Sequence, residues 1–199
     1  MPAATTGSHR TRSELTTTQL LRAARELFAA RGYEATSVDD IASAAGVTKG
    51  AVYHHYAGKQ DLFRAVFEQE QQVIAARLVE QAVPDTEPWE ALLAGSRQWL
   101  DLILDPGIQR ILLLDGPSML GWEEVRAIEA RYGLALLQAA VEGLTKGASP
   151  RLATPRLANL LFGALCEGAM TVARSEDPRR AKEEILADFE LLVGSLRGP

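Results

Sequence analysis

Apolar residues recur at the three-to-four spacing of amphipathic helices along most of the chain, and no useful length of strand-like alternation interrupts them. Leu20, Ala24, Leu27 and Phe28 mark a helix from Thr16 to Arg31, which Gly32 ends as a helix-terminating glycine. Ser37 then precedes Val38, Ile41, Ala42 and Ala45, a short helix with a serine N-cap. Asp39 and Asp40 fall in its first turn, where the macrodipole favours anions. Gly46 closes it, Thr48 caps a third short helix running through Tyr56, and Gly58 marks that helix's end. A fourth helix starts near Lys59 on the stripe Leu62, Phe63, Val66 and Phe67, continuing through Val73, Ile74 and Leu78 toward Pro84.

The remaining pattern predicts helices over 87–104, 107–120 and 122–144, then a loop by composition over 146–155. The last two helices, 155–174 and 178–197, carry Leu157, Leu160, Leu161, Ala164 and Leu165, and Ile185, Phe189, Leu192, Val193 and Leu196. Pro155 and Pro178 sit in their first turns, where proline is tolerated. The fold expected is all-α, with a loose arm over 1–12, a three-helix head over 13–58 and a helical body over 59–199.

Two short helices joined at a glycine, SVDDIASAAG and VTKGAVYHHY, are a helix-turn-helix pattern whose second helix enters the DNA major groove. At ~100° per residue, Lys49, Gly50, Tyr53 and His54 share one arc of about 140°, while Ala51 and Val52 lie on the side that must pack. Each outward residue suits nucleic acid. Lys49 brings charge that displaces counterions or donates to a guanine edge. Gly50 costs a helix up to ~1 kcal/mol relative to alanine, which implies close backbone approach to something. Tyr53 and His54 add donors with flat faces, and Lys59 opens a helix whose N–H groups favour phosphate. Each also has a plainer reading. Lysines are commonly solvated charges, Ser37 is a helix cap whatever else it does, and His55, on the packing arc, divides evenly between phosphate ligand and buried polar residue. Adjacent helical histidines diverge by ~100°, so His54 and His55 do not form a metal site.

The net charge of −5 argues against a nucleic-acid partner until it is divided along the chain. Residues 1–60 carry seven Lys/Arg against five Asp/Glu, with all three histidines, and the remainder carries fourteen against twenty-one. A weakly basic head on an acidic body fits a protein of which only the head meets phosphate. One cysteine, Cys166, excludes an intrachain disulfide and a repeated-cysteine metal framework and suits a reducing cytoplasm. No uncharged apolar run approaches the ~18 residues of a membrane span, so a soluble, unexported, cytoplasmic protein with no membrane partner is expected.

The run GYEATSVDDIASAAGVTKGAVYHHYAGKQDLFRAV resembles the DNA-binding head of the tetracycline-repressor (TetR) family throughout, and the upstream LLRAARELFAARG matches as well. The resemblance covers roughly residues 12–68. It implies that Ser37 touches phosphate, that Thr48, Lys49, Gly50, Tyr53 and His54 meet bases or backbone, and that His55 and Lys59 hold phosphate. The stretch RILLLDGPSMLGWEEVRAIEARYGL is similar to C-terminal domains of one branch of the family. The family further implies an effector pocket in the central helices and a homodimer made by pairing the last two helices. Leu157, Leu161, Ala164, Leu165, Phe189, Leu192, Val193 and Leu196 are the expected interface residues.

For the pocket, the candidate lining is Trp89, Trp99, Met119, Trp122, Phe162, Cys166 and Met170, with the carboxylates Asp115, Glu123 and Glu167. Ordinary core packing is the competing account of the aromatic and methionine residues. A carboxylate beside an apolar run must be exposed, paired or waiting for a ligand. No G-x-S-x-G, P-loop, dinucleotide fingerprint or H-E-x-x-H occurs, so an enzyme is not expected and no cofactor or metal is implied. The expected function is a homodimeric repressor of transcription that binds double-stranded DNA at a near-palindromic operator and is released by a small molecule. The alternative is a helical ligand-binding or docking module that has lost DNA recognition; the intact Lys49, Gly50, Tyr53 and Lys59 stand against it.

Overall fold

The structure, a computed structural model, describes residues 6–145 and 154–195. The expected loop over 146–155 therefore falls almost wholly outside the described residues, as does Leu196. In chain order the helices are α1 (Thr6–Arg31), α2 (Val38–Ala45), α3 (Lys49–His55), α4 (Lys59–Glu80), α5 (Pro88–Leu102) and α6 (Pro106–Ile108). A π-helical segment, Gln109–Asp115, follows. The remainder are α7 (Gly116–Leu120), α8 (Trp122–Glu129), α9 (Gly133–Thr145), α10 (Thr154–Arg174) and α11 (Pro178–Gly194). Among the described residues there is no strand.

Two compact units make up the chain. The first runs up to Gln69 and includes Arg110–Gly121; the second comprises Glu70–Gln109 and the chain from Trp122 onward. Helix α4 contributes to both.

The first unit is built around Leu20, Ala24, Phe28, Ile41, Val52, Leu62, Phe63, Val66 and Phe67, all essentially without solvent exposure. Phe28 meets Phe63 edge to face at 5.0 Å between ring centroids, and Tyr33 closes the group at 5.1 Å from Phe63. Gly32 adopts φ 82° in the left-handed region, turning the chain out of α1. Beside it Thr36, buried, donates its hydroxyl to the Gly32 carbonyl at 2.8 Å. Segment 110–121 is tied to this unit by three hydrogen bonds. Asp115 Oδ2 accepts the Tyr33 N–H at 2.7 Å, Arg110 donates to the Ala30 carbonyl at 3.1 Å, and Gln60 donates to the Met119 carbonyl at 2.7 Å.

The second unit packs α5, α9, α10 and α11 around Leu92, Leu134, Leu137, Val141, Ala158, Leu161, Leu165, Phe189 and Val193. Helices α10 and α11 approach at Gly168, where a Cβ would lie 2.6 Å from Ile185 Cγ2. At the surface, Lys182 bridges Asp101 of α5 at 2.5 Å and Glu183 at 2.9 Å.

Three expectations are corrected. The loose arm is helical from Thr6, because α1 extends well beyond its amphipathic stripe. Residues 8–19 contain neither proline nor glycine, so an established helix propagates through them, yet their polarity leaves no stripe to read. The single helix over 107–120 is interrupted by the π-helical segment. Pro117 lacks the N–H that a regular helix through this stretch would use. The helix over 122–144 divides at Ala130–Tyr132, where the N–H groups of Arg131 and Tyr132 bond three residues back, to Ile128 and Glu129.

Candidate nucleic-acid interface

The sequence around α2 and α3 dictates a rigid two-helix unit. Ser37 Oγ accepts the Asp40 N–H at 3.1 Å while Asp40 Oδ2 accepts the Ser37 N–H at 3.0 Å, a reciprocal cap that fixes where α2 begins. Ser37 also donates its hydroxyl to Asp40 Oδ2 at 2.6 Å, and this bond, with the one from the Ser37 N–H, holds the Asp40 carboxyl below its ordinary range. Gly46, at φ 67°, ends α2 in a left-handed turn that a side chain would strain. Thr48 then caps α3, its hydroxyl accepting the Ala51 N–H at 3.2 Å.

Helix α3 buries one side and leaves the other free. Val52 is fully buried, whereas Lys49, Gly50, Tyr53 and His54 are exposed, Tyr53 to 51%. A Cβ on Gly50 would meet only Thr48 Oγ1, at 3.8 Å, so nothing within the protein demands glycine there. Lys49 Nζ lies 2.9 Å from Asp39 Oδ2 of α2, and that hydrogen bond holds the ammonium above its usual pKa. His55 is half-buried with Nδ1 3.4 Å from Thr17 Oγ1, and its ring meets His54 edge to face at 5.2 Å. Lys59, opening α4, donates to the Tyr33 carbonyl at 3.0 Å with its ammonium 4.0 Å from the Tyr33 ring centroid. Ser37, Thr48, Lys49, Gly50, Tyr53 and His54 thus lie on the exposed surface of one compact unit, with His55 and Lys59 partly covered at its edge.

The effector candidates divide between the two units. Asp115 and Met119 belong to the first unit, where they hold Tyr33 and Gln60. Glu123 and Glu167 are exposed, as is Trp122. Trp89, Trp99 and Phe162 pack against the core of the second unit, and Met170 is half-buried.

Of the expected interface residues, Leu161, Leu165, Phe189 and Val193 are buried in the core of the second unit, with Leu157 and Ala164 packed against it. Their stripe is the one that meets α5 and α9. Leu192 is exposed, and with it Leu160 and Leu191, neither of which was among the expected interface residues.

One cluster in the second unit was missed. Arg126 pairs with Glu129 at 3.0 Å, donates to Asn159 Oδ1 at 3.0 Å and lies over the rings of Phe162 and Trp122 at 5.0 and 5.4 Å. Burial raises the Glu129 carboxyl, and Arg126 partly offsets it. Burial likewise pushes the Cys166 thiol up to about 12, with Glu129 adding to the effect. The i,i+3 spacing of Arg126 and Glu129 was visible in the sequence; their inward placement was not. Among the described residues no group of His, Cys, Asp and Glu is arranged to hold a metal, and no helix is long and apolar enough to cross a membrane.

Comparison with known proteins bears on the whole of this arrangement. Residues 20–66 match the family described as bacterial regulatory proteins, tetR family, and residues 89–196 match the tetracyclin repressor-like C-terminal domain. The transposon Tn10 TetC protein of Escherichia coli is 34% identical over 125 residues, 63% of either chain. The chain thus spans less than two thirds of the length of such curated relatives. A TetR-family transcriptional regulator from Pectobacterium atrosepticum has a crystal structure that superposes with a TM-score of 0.79 at 33% identity, covering 94% of this chain and 96% of that one. The transcriptional regulator FadR from Bacillus subtilis, solved with stearoyl-CoA, shares the fold at a TM-score of 0.68 and 21% identity, over 86% of this chain and 96% of its own. This family is one of regulators and not of enzymes. With a helix-turn-helix head and a C-terminal helical domain each matched over most of its length, the chain belongs to the tetR family of bacterial regulatory proteins.

Proposed function

We propose that the chain is a cytoplasmic, DNA-binding repressor that acts as a homodimer on a near-palindromic operator and is released by a small-molecule effector. One observation carries this reading: Lys49, Gly50, Tyr53 and His54 stand exposed on the side of α3 opposite the fully buried Val52. A helix anchored along one side and polar along the other is what the major groove admits. Ser37 and Thr48, whose hydroxyls already cap helices, lie at the N-termini where backbone N–H groups favour phosphate, and His55 and Lys59 extend the contact along the backbone.

The dimer is assigned to the outer side of α10 and α11. Leu160 and Leu191 are 73% and 74% exposed, beside Leu192, and such residues on paired helices favour a second copy. Two heads so joined meet successive major grooves ~34–36 Å apart, and their occupancy excludes other proteins from that DNA. The effector binds in the second unit, and its influence reaches the head through α4 and segment 110–121. Release requires tighter effector binding by the DNA-free state; a coupling of ~1–3 kcal/mol changes operator affinity about 5–150-fold.

The test is selection of bound fragments from bacterial genomic DNA by the purified protein. Recovery of a shared sequence with two half-sites about one helical turn apart supports the reading. Recovery of no sequence above background, with the protein folded, overturns it in favour of a docking module that no longer reads DNA.

A further inference from the structure

Asp39 is out of place on a surface that meets phosphate. Its carboxylate is 65% exposed, in the first turn of α2, and repels the backbone of any duplex that α3 enters. Its charge suits the N-terminus of α2, but the capping hydrogen bonds of that terminus belong to its neighbour. Asp40 already supplies the carboxylate of the capping box, and among the described residues no backbone N–H donates to Asp39. Its hydrogen bond is to Lys49 Nζ, at 2.9 Å. Nor does the pair stand for stability, because both side chains are more than half exposed and such pairs contribute little.

What the pair does is change what Lys49 offers to DNA. A free lysine ammonium attracts any phosphate, whatever the sequence. Beside a carboxylate, that attraction is largely cancelled, and one of the three N–H donors is already used. Two donors remain, and the major-groove edge of guanine presents two acceptors, O6 and N7. The carboxylate also restrains the flexible lysine stem, so its ammonium is held for a directed contact.

Building on the assignment of Lys49 to DNA, we infer that Asp39 is a specificity-determining residue that acts through Lys49, suppressing its sequence-independent attraction to phosphate and directing it to a guanine edge.

The experiment compares two duplexes of equal length across potassium chloride concentrations: the one most enriched from a random pool by the wild-type protein, and one of mixed sequence. Asp39→Asn, nearly isosteric, is expected to tighten binding to the mixed duplex. It should also steepen its salt dependence by about one unit, roughly a threefold larger loss of affinity between 50 and 200 mM salt. The ratio of affinities for the two duplexes should fall about fivefold or more, the scale of one directed base contact. Asp39→Glu, which keeps the charge, should restore most of the ratio. In a Lys49→Met background, Asp39→Asn should leave the ratio unchanged. An unchanged ratio in the Lys49 background, or an equal fall in the Lys49→Met background, overturns the inference while leaving DNA binding intact. Failure of the wild-type protein to enrich any duplex overturns the DNA-binding assignment and this inference together.

Discussion

Asp115 accepts the backbone N–H of Tyr33 at 2.7 Å across 82 residues of sequence. The bond answers a donor just past the left-handed turn at Gly32, and the same Oδ2 lies 3.3 Å from where a Gly32 Cβ would stand. Asp115→Ala leaves that N–H without its acceptor at a half-buried position and should lower stability by about 1–3 kcal/mol. Asp115→Asn, which retains a carbonyl acceptor, should lose less. Urea unfolding of the two variants distinguishes them, and equal losses would show that charge, not the hydrogen bond, matters.

Much of the first unit was legible because its signals are local. Ser37, Gly46 and Thr48 mark helix ends by chemistry that needs no distant partner, and the structure places caps at each. The partners of Tyr33 were not legible, since Asp115 reaches it from the middle of the chain and periodicity carries no information about such pairings. The stripe on α10 and α11 leaves its partner unnamed for a related reason. Leu161, Leu165, Phe189 and Val193 announce a buried face but do not say what buries it, and in the structure α5 and α9 lie against it. Leu160, which the helical pattern includes, and Leu191, which it does not, are largely exposed instead, so membership of the pattern does not decide burial. The Arg126 cluster was hidden because polar residues at i,i+3 spacing usually lie in solvent.

Gly116 makes the sharpest steric statement in the first unit. A Cβ there would fall 2.4 Å from Phe67 Cε2 and 2.9 Å from the Ile111 carbonyl oxygen. Gly116→Ala should therefore destabilise the protein by about 1–3 kcal/mol through overpacking. Phe67→Leu, costly alone, should recover part of that loss when combined with it. Thermal unfolding of the four proteins in the cycle measures the coupling, and simple additivity would place the strain elsewhere.

Cys166 should be inert in the folded protein. Burial pushes its thiol up to about 12, so at pH 8 it remains protonated and iodoacetamide should react at least about a hundredfold more slowly than with the urea-unfolded chain. The same shift has a consequence for stability. The unfolded thiol loses its proton near pH ~8.5 while the folded one keeps it, so stability is intact below that pH and declines above it, toward about 12. Urea midpoints of the protein and of Cys166→Ala should diverge as pH passes 9. Parallel midpoints would mean that the folded thiol ionises normally.

The dimer assignment makes a prediction about Leu160 and Leu191. Replacing both by Asp should leave the fold intact, since each is already largely in solvent, but sedimentation should shift from dimer to monomer. Affinity for a two-half-site duplex should fall with it while affinity for a half-site is retained. A dimer that survives both substitutions places the interface on another surface.

Lys59 is committed twice, and the two roles part on substitution. Its ammonium donates to the Tyr33 carbonyl and lies over the Tyr33 ring, yet an ammonium has three donors and α4 begins at this residue, beside N–H groups that attract phosphate. If Lys59 adds a phosphate contact, Lys59→Ala should weaken binding to selected and mixed duplexes alike. It should also flatten the salt dependence by about one unit. If it serves Tyr33 alone, the salt slope stays as it was, while the turn around Tyr33 loosens and stability drops. The expected outcome is the first, because holding the carbonyl fixes the lysine at the head's edge without consuming its charge: among the described residues no carboxylate is paired with it as Asp39 is with Lys49. Measuring slope and stability on one variant separates the two, and a drop in stability with an unaltered slope would confine Lys59 to the inside of the head.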